Sequence, residues 1–175
     1  MTDSNDRSAA EDRFRAVFSH LGVVAAYARR RGHPDADALA AEVMTIAWRR
    51  LSHVPLDDPR PWLFATARNL VLADARRRTP AAGKVERSAP APEPLELDPK
   101  LRDALRSLSP TDREALLLVA WEDLTPAQAA RSLGLNPTAF RVRLLRARRR
   151  LQARLDAAAD EPLPEPNANL DLETT

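Results

Sequence analysis

Arginines carry most of the chemistry in the C-terminal half of the chain. Residues 125–155 contain eight arginines and no acidic residue, whereas residues 156–175 contain six acidic residues and no basic one. Guanidinium groups bind phosphate oxygens and can make paired hydrogen bonds to guanine. A segregated basic block is therefore typical of a nucleic-acid-binding surface, although charge alone would also fit a solvated basic helix.

The elements that must position these arginines follow a helix-turn-helix pattern, TPAQAARSLGLNPTAFRVRLLRARRRL. Thr125 and Asn136 each precede a proline, which is the signal of a helix cap followed by a first helical residue. Gly134 suits a tight turn because it adopts a left-handed conformation without strain, and Ala130 is small enough for a close helix crossing. The pattern predicts a short helix, a turn and a long basic helix.

Helical periodicity divides the long basic helix into two faces. Phe140, Leu144, Ala147, Leu151 and Leu155 form one apolar stripe at about 100° per residue, so they are predicted to be core. In a recognition helix the N-terminal residues read base edges, while flanking arginines hold the phosphates. The residues predicted to contact DNA are Thr138, Ala139, Arg141, Val142, Arg143, Leu145, Arg146 and Arg149.

The composition excludes several classes of protein. The chain of 175 residues has no cysteine, four glycines and 5% aromatic residues, which argues against disulfides, thiolate metal sites and Gly-rich nucleotide folds. Its three histidines are scattered, and no nucleophile or phosphate-loop motif is present, so we predict no metal, no cofactor and no enzyme. No apolar run is long enough to cross a bilayer and the N-terminus is polar, which favours a cytoplasmic protein without membrane insertion.

The remaining patterns predict an all-α fold of two small helical domains. Residues 1–10 are expected to be disordered. Helices are predicted over residues 11–31 and residues 62–78, and a helix between them is predicted to begin at a cap, either Asp35 or Asp37. Five prolines in residues 79–99 indicate a flexible linker. The N-terminal domain, residues 11–78, should have three or four helices and the C-terminal domain, residues 100–156, four. Residues 157–175 should form an acidic disordered tail.

Both halves resemble the extracytoplasmic-function sigma factors of the sigma-70 family. DADALAAEVMTIAWRRL and PRPWLFATARNLVLADARRR resemble the family's second conserved region, and LRDALRSLSPTDREALLLVAWEDLTPAQAARSLGLNPTAFRVRLLRARRRL resembles the fourth. The resemblance covers about residues 11–155. It implies that the predicted recognition helix reads the −35 promoter element and that the first half docks on RNA polymerase and opens the −10 element.

The resemblance also assigns residues in the first half. Loop residues 53–60 and the helix over residues 62–78 would read the −10 element, with Asn69 near a pocket for an extruded base. The residues implied for the −10 element are Arg60, Arg68, Asn69, Arg76 and Arg77. Those implied for docking on core polymerase are Asp37, Leu39, Glu42, Val43 and Trp48. Ala38 and Ala41 stand where many members have Asp and Gln.

The sequence thus predicts a DNA-binding initiation factor that directs core polymerase to promoters. Its partners would be bacterial RNA polymerase core and promoter DNA, and the resemblance leaves open an anti-sigma factor as a further partner. One alternative is a conventional dimeric helix-turn-helix regulator with an N-terminal sensing or dimerisation domain. Another is a protein that sequesters polymerase. The arginine cluster at residues 76–78 favours the sigma factor, because a sensing domain does not require it.

Overall fold

Eight α-helices make up most of the computed structural model, which describes residues 2–78 and 98–159. Within those residues there is no β-strand, and the predicted all-α fold is confirmed. The helices are α1 (Thr2–Phe18), α2 (Leu21–Arg30), α3 (Ala36–Arg49), α4 (Arg60–Arg78), α5 (Pro99–Arg106), α6 (Pro110–Ala120), α7 (Pro126–Leu133) and α8 (Pro137–Ala159). A single 3-10 turn, Leu51–His53, follows α3.

The first predicted helix, over residues 11–31, is in fact two helices. Helix α1 ends at Phe18 and α2 begins at Leu21. The Ser19 hydroxyl donates to the Ala16 carbonyl at 2.7 Å. Such a side-chain hydrogen bond to the nearby backbone competes with the backbone hydrogen bonds that would continue the helix. Helix α1 also starts at Thr2, where disorder was expected over residues 1–10. An i,i+4 ion pair of 3.3 Å between Arg7 and Glu11 supports the added turns.

The core of the first half lies between α2, α3 and α4. Tyr27 of α2 stacks on Phe64 of α4 with ring centroids 5.0 Å apart, and both rings are buried. Asp35 caps α3 as predicted, because its carboxylate accepts from the Ala38 amide at 2.9 Å. Pro61 lies in the first turn of α4, where its missing N–H costs nothing. Local signals therefore define both helix starts.

In the second half, α5 and α6 are joined by a buried arginine. Ser109 caps α6 by accepting from the Asp112 amide at 3.2 Å. The Arg113 guanidinium donates to the carbonyls of Leu105 at 2.8 Å and Arg106 at 2.7 Å, at the C-terminal end of α5. Carbonyls at a helix C-terminus have no partner within the helix, so Arg113 satisfies groups that would otherwise be buried without a donor.

The two halves pack against each other, mainly through α4 and α7. One hydrophobic cluster includes buried residues of both halves. Independent tethered domains were expected from the sequence, and this contact was not predicted. The predicted linker falls mostly on residues 79–97, which lie outside the described residues. The predicted acidic tail, residues 157–175, lies outside the described residues from residue 160 onwards, and residues 157–159 belong to α8.

Candidate nucleic-acid interface

Local hydrogen bonds fix the helix-turn-helix formed by α7 and α8. The Thr125 amide donates to Gln128 Oε1 at 2.7 Å, and the Gln128 amide donates to Thr125 Oγ1 at 3.3 Å, which together form a capping box. Gly134 ends α7 in the left-handed region at φ 63°. Asn136 Oδ1 accepts from the Thr138 amide at 2.8 Å at the start of α8. The sequence signals therefore place both helices where they were predicted.

Helix α8 is buried along the predicted stripe. Phe140, Leu144 and Ala147 are buried, and Leu151 and Leu155 are half-buried nearer its C-terminal end. This stripe packs against α5, α6 and α7. The rotation of α8 about its own axis is consequently set by the core, and its opposite face is held outward.

The outward face of α8 contains the residues predicted to read DNA. Val142 is 44% exposed and Leu145 is 50% exposed, and their i,i+3 spacing places them side by side on this face. Arg141, Arg146 and Arg149 are exposed and make no ion pair within the part of the chain that the structure describes. Thr138 and Ala139 are exposed in the first turn of the helix. A shallow groove of about 650 Å³ runs along this face, lined in part by Thr138, Ala139, Val142, Arg143 and Arg146.

Asp112 is a member of this surface that the sequence did not indicate. Its side chain is 5% exposed, lies 3.4 Å from the Arg143 guanidinium and accepts from Arg150 at 2.5 Å. Arg143 and Arg150 are seven residues apart on α8 and so share a face. Asp112 restrains both side chains at the edge of the groove, so Arg143 is less free than Arg141, Arg146 or Arg149.

The residues predicted for the −10 element are divided between two environments. On α4, Asn69, Arg76 and Arg77 are exposed and Arg68 is half-buried, with Arg77 3.0 Å from Asp74. Arg60 lies differently, because its guanidinium donates to the backbone carbonyl of a residue in the other half, Glu122. Arg76 is therefore open to a phosphate backbone in this conformation, whereas Arg77 is paired with Asp74 at the surface and Arg60 is engaged within the chain.

The loop before α4 borders a cavity of about 260 Å³. Leu56, Asp58 and Arg60 line one side and His20 of the α1–α2 turn lines another. Burial, followed by the nearby Arg60 charge, lowers the pKa of His20 below 6.5, so the imidazole is mostly neutral at pH 7. Asn69 is not among the described residues that line this cavity.

Two residues predicted for polymerase docking are buried instead. Leu39 is 2% exposed and Val43 is 0% exposed, so both support α3 from inside and do not form its outer surface. This corrects their assignment. Asp37 and Glu42 are exposed, and Asp37 lies 2.6 Å from Arg29.

Trp48 forms an exposed aromatic patch with two residues that were not predicted for it. Trp48 is 45% exposed and meets the Phe14 ring edge-on, with centroids 5.1 Å apart. Phe18, 46% exposed, lies 5.7 Å from Phe14. The four-residue spacing of Phe14 and Phe18 favours one buried face, and Phe14 is half-buried against the core. The end of α1 at Phe18 leaves that ring at the surface beside Phe14.

The described residues contain no cluster of His, Cys, Asp and Glu that could hold a metal ion. In the same ranges no helix is both long and apolar enough to span a membrane. A cationic helix on a helix-turn-helix, beside a second helical unit with its own arginines, defines a class: a DNA-binding protein of two helical units.

Comparisons with known proteins give the family. Residues 99–151 match the family model described as sigma-70, region 4. The chain is 30% identical over 167 residues to the RNA polymerase sigma factor CnrH of Cupriavidus metallidurans, covering 83% of this chain and 87% of CnrH. The protein belongs to the extracytoplasmic-function sigma factors.

Solved structures agree with this fold. The structure of CnrH in complex with the cytosolic domain of CnrY matches with a TM-score of 0.59 and 29% identity, covering 87% of this chain and 97% of that one. The sigma factor RpoE in complex with the anti-sigma factor NepR, from Bartonella quintana, matches in fold with a TM-score of 0.60 and 23% identity, covering 83% and 98%. The protein is a transcription initiation factor, and a conventional dimeric regulator is not favoured.

Proposed function

We propose that this sigma factor recognises promoters with two separate surfaces. The outward face of α8 reads the −35 element, and α4 with the preceding loop binds the −10 element. The observation that carries this proposal is the exposed arginine face of α8, which the buried stripe of Phe140, Leu144 and Ala147 holds opposite the core. RNA polymerase core supplies the bond-forming chemistry, so this chain needs no catalytic group, and it acts in the cytoplasm.

Run-off transcription tests the promoter function directly. Purified chain is added to RNA polymerase core on genomic fragments, and the start sites are mapped. We expect discrete transcripts from a small set of promoters that share two sequence elements. Start sites without shared elements, or no increase over core polymerase alone, would contradict the proposal.

The exposed part of α3 and the aromatic patch of Phe14, Phe18 and Trp48 are proposed to bind core polymerase, together with Asp37 and Glu42. Large aromatic side chains contribute strongly to protein interfaces when they are desolvated there. Trp48→Ala should therefore weaken binding to core polymerase by about tenfold or more while the chain remains folded. Val23→Ala, which truncates another exposed apolar residue, is the matched control.

Biolayer interferometry with immobilised core enzyme measures these affinities, and circular dichroism checks the fold of each variant. Equal affinities for wild type, Trp48→Ala and Val23→Ala would show that the patch is not the docking site.

An anti-sigma factor is a further proposed partner. CnrH and RpoE, which share this fold, were each solved in a complex, with CnrY and NepR respectively. An inhibitory partner that covers the polymerase-docking surface would prevent transcription without touching DNA. Co-purification of this chain from its own cells, followed by run-off inhibition with the captured protein, tests whether such a partner exists.

A further inference from the structure

One acidic side chain lies within the basic surface of α8. Asp112 lines the groove together with Arg143, Arg146 and Arg150, although its own side chain is 5% exposed. Its carboxylate lies 3.4 Å from the Arg143 guanidinium and accepts a hydrogen bond from Arg150 at 2.5 Å. In the part of the chain that the structure describes, no other carboxylate pairs with an arginine of α8. We call Asp112, Arg143 and Arg150 the groove-edge triad.

The triad brings together two arginines that start from separate turns of the helix. Arg143 and Arg150 are seven residues apart, which is about 10 Å along a helix at 1.5 Å per residue. Both guanidinium groups nevertheless reach the same carboxylate. Helix α6 sets the position of that carboxylate, because Asp112 lies in its first turn and the Asp112 amide donates to the Ser109 cap. Asp112 therefore holds both arginines at one place on the edge of the groove.

The main effect of Asp112 is on the charge that this edge presents. The triad has two positive groups and one negative group, so its net charge is +1, whereas two arginines without Asp112 would present +2. The Arg143 and Arg150 side chains are 38% and 62% exposed, so water already solvates them and the ion pairs contribute little to stability. A phosphate backbone therefore meets one unit of positive charge fewer than the arginines alone would supply.

This reduction in charge affects two kinds of DNA complex unequally. Binding to arbitrary DNA depends almost entirely on phosphate contacts, and flexible arginines can meet phosphates in any register. Binding to a cognate site also depends on base contacts, which fix how the recognition helix lies in the groove. An additional free cation should consequently strengthen binding to arbitrary DNA more than binding to the cognate site.

We propose that Asp112 is a specificity-determining residue of the −35 surface, a built-in counter-ion that lowers affinity for arbitrary DNA and so increases discrimination in favour of the −35 element. The inference rests on the proposed assignment of α8 to the −35 element. Asp112 is a positioning residue in this role, because it acts through Arg143 and Arg150.

Asp112→Asn tests the proposal because it removes the charge and nearly preserves the shape of the side chain. Asp103→Asn is the matched control, since Asp103 also lies beside an arginine, 3.6 Å from Arg106, but is exposed and does not line the groove. Both substitutions are made in the full chain. Heparin chromatography uses a sulfated polyanion as a sequence-independent probe of the charge at the surface. Asp112→Asn should elute at a higher salt concentration than Asp103→Asn, which removes the same formal charge elsewhere.

Fluorescence anisotropy then compares a duplex that carries the −35 element of a mapped promoter with a scrambled duplex. One additional phosphate contact changes the slope of log affinity against log salt by about 0.9, which amounts to roughly eightfold at 0.1 M salt relative to 1 M. Asp112→Asn should therefore bind the scrambled duplex about eightfold more tightly than wild type at 0.1 M salt. The gain on the cognate duplex should be less than about threefold.

A second substitution checks that the gain comes from the triad. Adding Arg150→Gln to Asp112→Asn returns the net charge of the triad to +1 and should restore the wild-type salt slope. If Asp112→Asn fails to fold, as judged by circular dichroism, Asp112→Gln replaces it. Residue 112 is the third residue of α6 after the Ser109 cap, and Gln at that position can complete a capping box.

Elution of a folded Asp112 variant at the same salt concentration as Asp103→Asn would overturn the counter-ion role. So would a double variant that keeps the steeper salt slope. Equal gains on the two duplexes, or no gain on the scrambled duplex, would overturn the role in specificity. If wild type does not distinguish the two duplexes at all, the proposed −35 surface fails, and heparin elution still decides whether Asp112 acts as a counter-ion.

Discussion

Arg146 of α8 offers the sharpest test of how the −35 element is read. Its side chain is exposed, borders the groove and has no ion-pair partner in the described part of the chain. No existing contact has to break before it reaches a base. A bidentate arginine–guanine contact contributes about 1–3 kcal/mol of discrimination, or roughly 5- to 150-fold in affinity. Arg146→Ala should lose that factor on the cognate −35 duplex and much less on a scrambled one.

Arg143→Ala should behave differently because the Arg143 side chain is 38% exposed and lies 3.4 Å from Asp112. A restrained arginine at the groove edge is placed to contact phosphate rather than a base. We expect similar losses on cognate and scrambled duplexes, and a decrease of about 0.9 in the slope of log affinity against log salt. Asp112 keeps Arg150 at 2.5 Å, so the stability loss should stay within about 1 kcal/mol.

Fluorescence anisotropy with both duplexes between about 50 and 200 mM salt measures these effects. Arg154→Ala is the matched control, since Arg154 is exposed on the same helix but lies two turns beyond Arg146. The assignment of the reading face is wrong if Arg146→Ala weakens both duplexes equally. It is also wrong if Arg154→Ala costs as much as Arg146→Ala on the cognate duplex.

Two further predictions concern stability. Arg113→Met should lower the free energy of unfolding by about 3 kcal/mol, because the carbonyls of Leu105 and Arg106 lose their charged donor. Urea denaturation measures this free energy, and a loss of less than about 1 kcal/mol would refute the prediction. A hydrogen bond with His33 lowers the pKa of Asp74 in the folded chain below its ordinary value of 3.8. The ionised carboxylate therefore stabilises the fold at pH values above 3.8, and this contribution is lost as the pH falls through the pKa of the folded state. Asp74→Asn should therefore lower the thermal midpoint at pH 7, and the difference from wild type should shrink below about pH 4; a constant difference would contradict it.

Local signals in the sequence predicted the DNA-reading half well. The caps at Thr125 and Asn136 and the turn at Gly134 act within a few residues, so their effect can be deduced without knowing the fold. The periodicity of α8 was equally informative, because a helix with one core stripe must expose the opposite face. The exposure of Val142 and Leu145 follows from that geometry alone.

Contacts between distant residues had no such signal. Arg30 and Glu122 are 92 positions apart, and nothing near either residue marks the other as its partner. Asp112 likewise pairs with arginines more than 30 positions away. Leu39 and Val43 lie four residues apart, a helical spacing that favours one buried face, whereas the family resemblance placed them on the docking surface of α3. The structure agrees with periodicity, because a resemblance identifies a helix without specifying its inward face.

The two DNA surfaces differ in what must happen before they can bind. The face of α8 is oriented by its own core and is exposed, so the proposed −35 contact requires no rearrangement. Asp58 and Arg60 are already bonded to the other half, so any −10 strand that uses the loop must replace those bonds. Under the proposed assignment, affinity for the −10 strand therefore includes the free energy of replacing those bonds, whereas affinity for the −35 duplex does not.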